Sequence, residues 1–249
     1  ASDCWIEGAV DYFYGNGNVL IENTTLYNVR YGSVITAANH TTGTNWGYVF
    51  NNCTVDGINK VDPDKYGTES LDYQPSKGTA QTLGRPWQNN PITVFLNTKL
   101  KFDIDPAGWR DMSAVPALYA EYNTTDKKGK AVDMSQRKTK YTINGTSYNY
   151  EGKTELSYSE YIKYTYENIV NGSDGWNPKK FMEQLETPEN VSLNGTTLSW
   201  DARYKAICYL IFKADGSFEG QTIDTSFTVS DADATYTVKA ANKYGTLSE

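Results

Sequence analysis

The sequence feature that most constrains the fold is a short segment that recurs along the chain. Two copies are closely alike, Ile21-Glu22-Asn23-Thr24-Thr25-Leu26 and Phe50-Asn51-Asn52-Cys53-Thr54-Val55, and Leu96-Asn97-Thr98-Lys99-Leu100 is a weaker third. A motif repeated at irregular spacing is typical of a solenoid whose coils stack on one another and differ in loop length. We therefore expect a mainly β fold, a parallel β-helix, with asparagines stacked in ladders at its corners, where they tolerate turn conformations. An antiparallel sandwich is the alternative.

Short apolar and β-branched runs separated by turn residues support a β solenoid. Between Leu26 and Leu100 there is no helical periodicity. A long polar loop, Asp56 to Ala80, is expected on one rim of the solenoid, as a cleft wall or as a plain surface insertion. The predicted strand runs are Cys4 to Val10, Val19 to Leu26, Ser33 to Ala37, Tyr48 to Val55, Ile92 to Leu100 and Ala117 to Tyr122.

Charge and composition exclude several classes of partner. The chain has 249 residues, with 23 basic against 30 acidic side chains, and no basic stripe of the kind that nucleic-acid binders need. No apolar run approaches the roughly 18 residues of a membrane span. We therefore expect neither a nucleic-acid nor a membrane partner.

Three cysteines, Cys4, Cys53 and Cys208, form no C-x-x-C pair. This spacing favours buried or half-buried thiols, with a bridge between Cys4 and Cys53 as the alternative. No metal-ligand spacing is evident, and we expect no cofactor.

One acid stands out by its surroundings. Asp11 lies between apolar and aromatic neighbours in the stretch Gly8 to Asn18, with glycines on both sides. A carboxylate in such a setting is costly to desolvate unless a cation or hydrogen-bond donors meet it. Asp11 therefore needs a partner.

Two long motifs carry a resemblance to a known family. Residues Asp3 to Asn16 resemble the D-C-[YW]-I-E-G-x-V-D-[FY]-x-[FY]-G-N signature of pectin methylesterases, and Leu83 to Trp87 is similar to that family's L-G-R-P-W. The resemblance covers residues 1 to 181 and implies a right-handed parallel β-helix. Four weaker motifs follow in the family's order, at Ser33 to Ala37, Gly47 to Val55, Asp105 to Trp109 and Tyr119 to Asn123.

The resemblance implies that Asp11 is the catalytic nucleophile and that Arg85 holds it. A guanidinium that never deprotonates presents a fixed fork to a carboxylate, which would keep Asp11 ionised and oriented. The reaction implied is hydrolysis of C6 methyl esters of polygalacturonate, methyl-esterified pectin, to pectate and methanol.

Aromatic residues near these motifs are the candidate sugar contacts. Trp87 lies two residues beyond Arg85 and is expected to offer a flat apolar surface to a sugar ring, as the family's Trp does. Tyr12, Tyr14 and Trp109 are further candidates for substrate binding, with core packing as the alternative for each. Phe13 is expected in the core.

The family's acid/base Asp stands in a Q-D-T-L-type motif upstream of the nucleophile, as do its two oxyanion Gln residues. The ten residues before Asp11 contain no such motif. We therefore expect the C-terminal portion of a pectin methylesterase, inactive alone and able to self-associate through the truncated end of its solenoid. The expected setting is secreted, periplasmic or at the cell surface.

Other functions remain open. A non-catalytic β-solenoid that binds glycans is the main alternative, and a pectate lyase would need a calcium-binding acidic cluster that is not evident. A Ser-His-Asp esterase would have to use His40, the only histidine, and no G-x-S-x-G motif accompanies it.

The chain is expected to form two domains, residues 1–186 and residues 187–249. The first ends in a capping helix that begins with a capping box at Ser157, has an apolar face from Ile162 to Val170, and ends at Asn171. The second has short alternating strands and resembles a fibronectin type III or immunoglobulin-like sandwich, with Trp200 expected in its core.

Overall fold

The computed structural model describes residues 1–58, 63–66, 79–171, 175–181 and 183–249. The chain divides into two compact units, residues 1–174 and residues 175–249. The predicted division at residue 186 remains a prediction.

The first unit is a parallel β-helix, as the repeated motif predicts, and not an antiparallel sandwich. From β1 to β10 successive strands join three parallel sheets in rotation, and β11 then joins the third sheet, so that the orders are β1-β4-β7-β10, β2-β5-β8 and β3-β6-β9-β11. The rotation buries one face of every sheet against the other two. The strands are β1 Trp5–Gly8, β2 Val10–Gly15, β3 Val19–Glu22, β4 Thr25–Asn28, β5 Val34–Ala38, β6 Tyr48–Asn51, β7 Thr54–Gly57, β8 Thr82–Pro86, β9 Ile92–Leu96, β10 Lys99–Leu100 and β11 Leu118–Tyr122.

The interior of the solenoid holds a column of aromatic rings. Phe50 and Phe95 occupy the same rung of β6 and β9 and stack with centroids 4.5 Å apart. Phe13 meets Phe50 edge-on at 5.0 Å, and Trp109 packs on Tyr119 at 4.4 Å. Such pairs contribute about 0.5–1.5 kcal/mol each beyond the area they bury. The column therefore ties successive coils together.

Asparagines form the predicted ladder at one corner. Asn23, Asn52, Asn97 and Asn123 all have φ between 50° and 54°. Asn52 Nδ2 donates to Asn23 Oδ1 at 2.8 Å, and Asn123 Nδ2 donates to Asn97 Oδ1 at 2.9 Å. Left-handed backbone is cheapest for Gly and Asn. The corners at Asn23, Asn52 and Asn97 each split one predicted strand run into two strands on different sheets.

The C-terminal part of the first unit covers one sheet of the solenoid. Leu156 and Ile169 are buried in the same cluster as Leu20 and Val94. This segment follows a two-stranded hairpin. The hairpin strands are β12 Lys140–Ile143 and β13 Thr146–Asn149, and the covering segment contains the helices α2 Tyr158–Tyr161 and α3 Tyr166–Val170. Two short elements lie earlier in the chain, the helix α1 Pro63–Tyr66 and a 3-10 turn at Met134–Gln136.

The single capping helix predicted from residue 157 to 171 is wrong. Ser157 does form the predicted capping box, but α2 ends after one turn and leaves Ile162 50% exposed. Thr165 then caps a new helix by accepting from the Asn168 N–H at 3.2 Å. A threonine that caps in extended conformation interrupts a helix because its hydroxyl competes for the backbone.

The second unit contains two three-stranded antiparallel sheets, β14-β15-β18 and β17-β16-β19. Trp200 is 5% exposed and lies in its core, as predicted, 5.3 Å from Tyr209. The Tyr236 hydroxyl donates to the Asp231 carbonyl at 2.9 Å, a local lock near the start of β19. The strands are β14 Ser192–Asn194, β15 Thr197–Ser199, β16 Cys208–Lys213, β17 Phe218–Thr222, β18 Ser226–Thr228 and β19 Tyr236–Ala241, preceded by a 3-10 turn at Pro178–Phe181.

Across the described ranges, no helix has the length and apolarity needed to cross a bilayer. The fibronectin type III resemblance of the second unit stays a prediction. Most of the polar loop from Asp56 to Ala80 lies outside the described residues.

Candidate active site

Asp11 sits in a β-bulge. Between Val10 and Phe13 the pairing of β2 with β5 shifts register, so that β2 holds one more residue than its partner strand. Asp11 has φ 54°, a left-handed conformation that is strained for most side chains. Bulges re-aim side chains. Here the bulge presents the Asp11 carboxylate on the outer face of the sheet β2-β5-β8.

Arg85 holds this carboxylate through two atoms of its guanidinium. Its Nε donates to Asp11 Oδ1 at 3.0 Å and to Oδ2 at 3.2 Å, and its Nη2 donates to Oδ2 at 2.5 Å. The two side chains are 20% exposed for Asp11 and 29% for Arg85. The predicted pairing is therefore present in the structure, at a place that solvent and a ligand can reach.

A small residue between the partners makes the pairing feasible. Strand β5 separates β2 from β8, so the two main chains are about 9–10 Å apart. Ala37 pairs with Arg85 on the rung between them, and its side chain is only 2% exposed. A longer side chain at this position would stand in the path of the guanidinium. The pairing of Asp11 with Arg85 therefore requires both a long cationic side chain on β8 and a short side chain on the strand between them.

Gly84 of the L-G-R-P-W segment is explained by close approach of two coils. It pairs with Thr36 on β5, and a Cβ at position 84 would lie 2.1 Å from Thr36 Oγ1. Any other residue would push β8 away from β5 and move Arg85 with it. Glycine here fixes the position of the next residue.

An open groove of about 400 Å³ surrounds the pair. Tyr14 and Trp87 form its aromatic side, with ring centroids 6.0 Å apart at 59°. Tyr14 is 69% exposed, which is unusual for a ring of its size. Exposed aromatic faces are suited to stacking on flat ligand rings. The residues lining the groove are Val10, Asp11, Tyr14, Ala37, Trp87 and Met112.

Two of the four predicted substrate contacts lie elsewhere. Trp109 is 2% exposed and belongs to the interior aromatic column. Tyr12 packs against the same core, and its hydroxyl donates to Asn28 Oδ1 at 2.7 Å. Burial raises the pKa of the Tyr12 hydroxyl. The bulge explains the error, because Tyr12 and Tyr14 do not share a face once an extra residue breaks the alternation.

Sequence reasoning missed three residues of the groove wall. Val10 and Ala37 carry no chemical signal, and only the register of the sheets identifies them. Met112 follows the Asp105 to Trp109 motif by three residues and lies in the groove beside Trp87. The position of Met112 just beyond a matched motif was the sequence signal that could have identified it as a groove residue.

His40 has no free nitrogen with which to act as a catalytic base. Its ring is fully buried, and its Nδ1 accepts from the Ile92 N–H at 3.1 Å. Nε2 therefore carries the proton and donates to the Gly17 carbonyl at 3.1 Å. Burial lowers the pKa of His40. The arrangement is that of a neutral structural histidine.

All three cysteines are free thiols. Cys53 is buried, and burial raises its pKa to about 11. Cys4 is exposed, contrary to the expectation that it would be at least half-buried. Among the described residues, no group of three or more His, Cys, Asp or Glu side chains is placed to hold a metal ion.

Comparison with known proteins identifies the family of the chain. The family model described as Pectinesterase matches residues 2–172. The chain therefore belongs to the pectinesterase family.

Named relatives match over part of their length. A probable pectinesterase A of Neosartorya fischeri is 36% identical over 149 residues, which cover 58% of this chain and 40% of that protein. A probable pectinesterase/pectinesterase inhibitor 41 of Arabidopsis thaliana is 26% identical over 183 residues, covering 70% of this chain and 28% of that one. The chain thus spans less than half the length of these relatives.

Solved structures show the same partial overlap. A pectin methylesterase from Aspergillus niger is 25% identical with a TM-score of 0.47, covering 72% of this chain and 49% of that chain. The pectin methylesterase of Erwinia chrysanthemi is 22% identical with a TM-score of 0.46, covering 71% and 51%.

Proposed function

We propose that this chain supplies the nucleophile and the substrate groove for hydrolysis of C6 methyl esters of polygalacturonate. The observation that carries the proposal is the Asp11 carboxylate, held by Arg85 through three hydrogen bonds at the floor of an open aromatic groove. Family membership supports the same chemistry.

In the proposed reaction an Asp11 oxygen attacks the carbonyl carbon of the ester. The methoxide leaves with a proton from a general acid, and an acyl-enzyme anhydride remains. Water then attacks the anhydride and gives one proton back to the conjugate base of that acid, which releases the uronic acid, itself ionising to uronate, and the Asp11 carboxylate. Among the described residues that line the groove, Asp11 is the only acid, so the proton donor has to come from outside this set.

Arg85 serves two purposes in this scheme. It offsets the negative charge of Asp11, and it restricts rotation of the carboxylate, so that a lone pair remains directed at the groove. Trp87 and Tyr14 would stack on the apolar faces of sugar rings and align the ester with Asp11.

Methanol release from methyl-esterified pectin tests the proposal directly. We expect release to fall at least about a thousandfold in Asp11→Asn, which removes the nucleophile and keeps its shape. The assay should be run both on this chain and on the longest form that its gene encodes, because the family's general acid is expected upstream. A long form whose activity survives Asp11→Asn would contradict the mechanism.

A second function is binding of pectin without catalysis, favoured by the high exposure of Tyr14. It predicts that methylated oligogalacturonides bind the wild-type chain and release no methanol in either form. Trp87→Ala would then weaken binding of these oligomers, and no methanol release would be detected for either the variant or the wild type.

The proposed substrate also suggests where the protein acts. Pectin is a cell-wall polysaccharide, so we propose a secreted, periplasmic or cell-surface location. Fractionation of the source cells with an antibody against the chain would test this, and recovery only in the cytoplasmic fraction would contradict it.

A further inference from the structure

Beside the Asp11–Arg85 pair lies a second arginine that the proposed reaction does not use. Trp109 bridges to Gly84 in parallel, and the Arg110 N–H donates to the Gly84 carbonyl at 3.0 Å. Arg110 therefore extends the rung of Arg85 by one strand spacing, about 4.8 Å. With Trp109 turned into the core, the following side chain points to the outer face.

The Arg110 guanidinium has a charged neighbour but no ion pair. Its Nη2 donates to the Ala80 carbonyl, and within the described residues it forms no salt bridge. Burial lowers the pKa of Arg110, and the Arg85 charge lowers it further, while Asp105 and Asp11 oppose the change. Asp105 itself accepts from the Ala107 N–H at 2.9 Å. A half-buried cation beside another cation is stabilised when an anion binds.

The two arginines differ in what compensates them. Asp11 pairs with Arg85, whereas Arg110 has no salt bridge among the described residues and lies beside the groove, outside the residues that line it. The Ala80 contact draws its head group toward the amino-terminal end of β8, whereas Trp87 follows the carboxyl end of that strand. A ligand that extends from the groove past the amino-terminal end of β8 would therefore meet a cation, whereas its other end would lie on Tyr14 and Trp87.

We propose that Arg110 binds the free carboxylate of a galacturonate unit next to the ester that Asp11 attacks. The inference rests on the proposed function and adds to it a preference for one pattern of esterification in the substrate. A polymer chain would lie with a de-esterified unit at the arginine end and methylated units on Trp87 and Tyr14. The free acid made in one turnover matches the group that Arg110 binds, so the structure favours partly de-esterified stretches over fully methylated ones.

The test is calorimetric binding of two hexagalacturonates, one fully unesterified and one fully methyl-esterified, at low ionic strength. In Arg110→Gln we expect affinity for the acidic oligomer to fall roughly tenfold, the value of one charge-assisted contact. Affinity for the methylated oligomer should stay within about twofold. Arg110→Lys keeps the charge and loses the fork, so its loss should be intermediate.

Lys127→Gln is the matched control, because it removes one positive charge that pairs with Asp103 on the solenoid surface. It should change neither affinity, which separates a local contact from a change in net charge. Equal losses for both oligomers in Arg110→Gln, or no loss for either, would overturn the role of Arg110 and leave the proposed function standing. A wild-type chain that binds neither oligomer would overturn both, whereas binding of the methylated oligomer alone would overturn only the Arg110 proposal.

Discussion

The chain uses the same chemical pair, arginine with a carboxylate, in two places that differ chiefly in burial. Arg85 and Asp11 face the groove with a fifth to a third of their side chains exposed. Arg137 and Glu121 are 2% and 0% exposed, with Nε to Oε1 at 2.6 Å and Nη2 to Oε2 at 3.2 Å. The Arg137 Nη1 also donates to the Pro106 carbonyl at 2.9 Å.

The difference separates a structural pair from a reactive one. Glu121 lies on β11, and Arg137 follows the 3-10 turn, so their pair ties the segment after the last coil to the solenoid. Once buried, neither charge can lose its partner without a large desolvation cost. At the groove, partial exposure keeps that cost low and leaves Asp11 accessible. The same interaction therefore stabilises in one place and orients a reactive group in the other.

Removing one partner from each pair should show the largest contrast. Glu121→Ala is expected to lower the free energy of unfolding by about 3–5 kcal/mol, because it leaves Arg137 charged and buried. Asp11→Ala should lower it by at most about 1 kcal/mol, because water reaches Arg85. Urea denaturation of both variants measures this, and equal losses would remove the distinction between the pairs.

Lengthening Ala37 should break the groove pair without touching either partner. Ala37→Leu is expected to cost about 1–3 kcal/mol by overpacking and to weaken binding of methylated oligogalacturonides, because the Arg85 side chain crosses this position. Ala37→Gly keeps the path open and should bind normally, with a loss of about 0.5–1 kcal/mol in strand stability. Denaturation and calorimetry on the same preparations separate the two effects. Normal binding by Ala37→Leu would show that the pair does not depend on this crossing.

The asparagine corners offer a comparison far from either charge pair. Asn52→Ala should lower the free energy of unfolding by about 1–2 kcal/mol, from left-handed strain and a lost ladder hydrogen bond. Asn52→Gly removes only the hydrogen bond and should cost about half as much. Neither change should alter oligosaccharide binding, and an altered affinity would mean that the corner reaches the groove.

His40 is as buried as Glu121, but its hydrogen-bond partners among the described residues are backbone groups. Its pKa is lowered in the folded chain, so protonation favours the unfolded state, where histidine titrates near 6.5. The contribution of His40 is therefore present above pH 6.5 and is lost progressively as pH falls below it. Stability curves from pH 7.5 to 5.5 for wild type and His40→Gln test this, since the chain has one histidine. The variant should show a flatter profile, and parallel profiles would exclude His40 as the cause.

The sequence predicted the features that depend on repetition and on long motifs. The parallel β-helix, the asparagine ladder and the pairing of Asp11 with Arg85 all follow from residue patterns that recur or match a signature. The strand boundaries did not follow from these patterns, because an asparagine in left-handed backbone divides a run without changing its composition. Tyr12 was misplaced for a related reason, since a bulge is a property of two strands and one strand's sequence does not reveal it. The groove residues Val10 and Ala37 required the sheet register for the same reason.

The asparagine corners also bear on how such a chain can change. The intervals from Asp3 to Asn23, Asn23 to Asn52, Asn52 to Asn97 and Asn97 to Asn123 are unequal, yet all five residues adopt nearly the same backbone conformation. The coils therefore differ in length in the remainder of each turn, while one edge of the solenoid has the same geometry in every coil. For protein engineering, that edge is the part of the scaffold to leave unchanged. Loops opposite it could be lengthened or exchanged to alter what the groove accepts, with the stacking of the coils left intact.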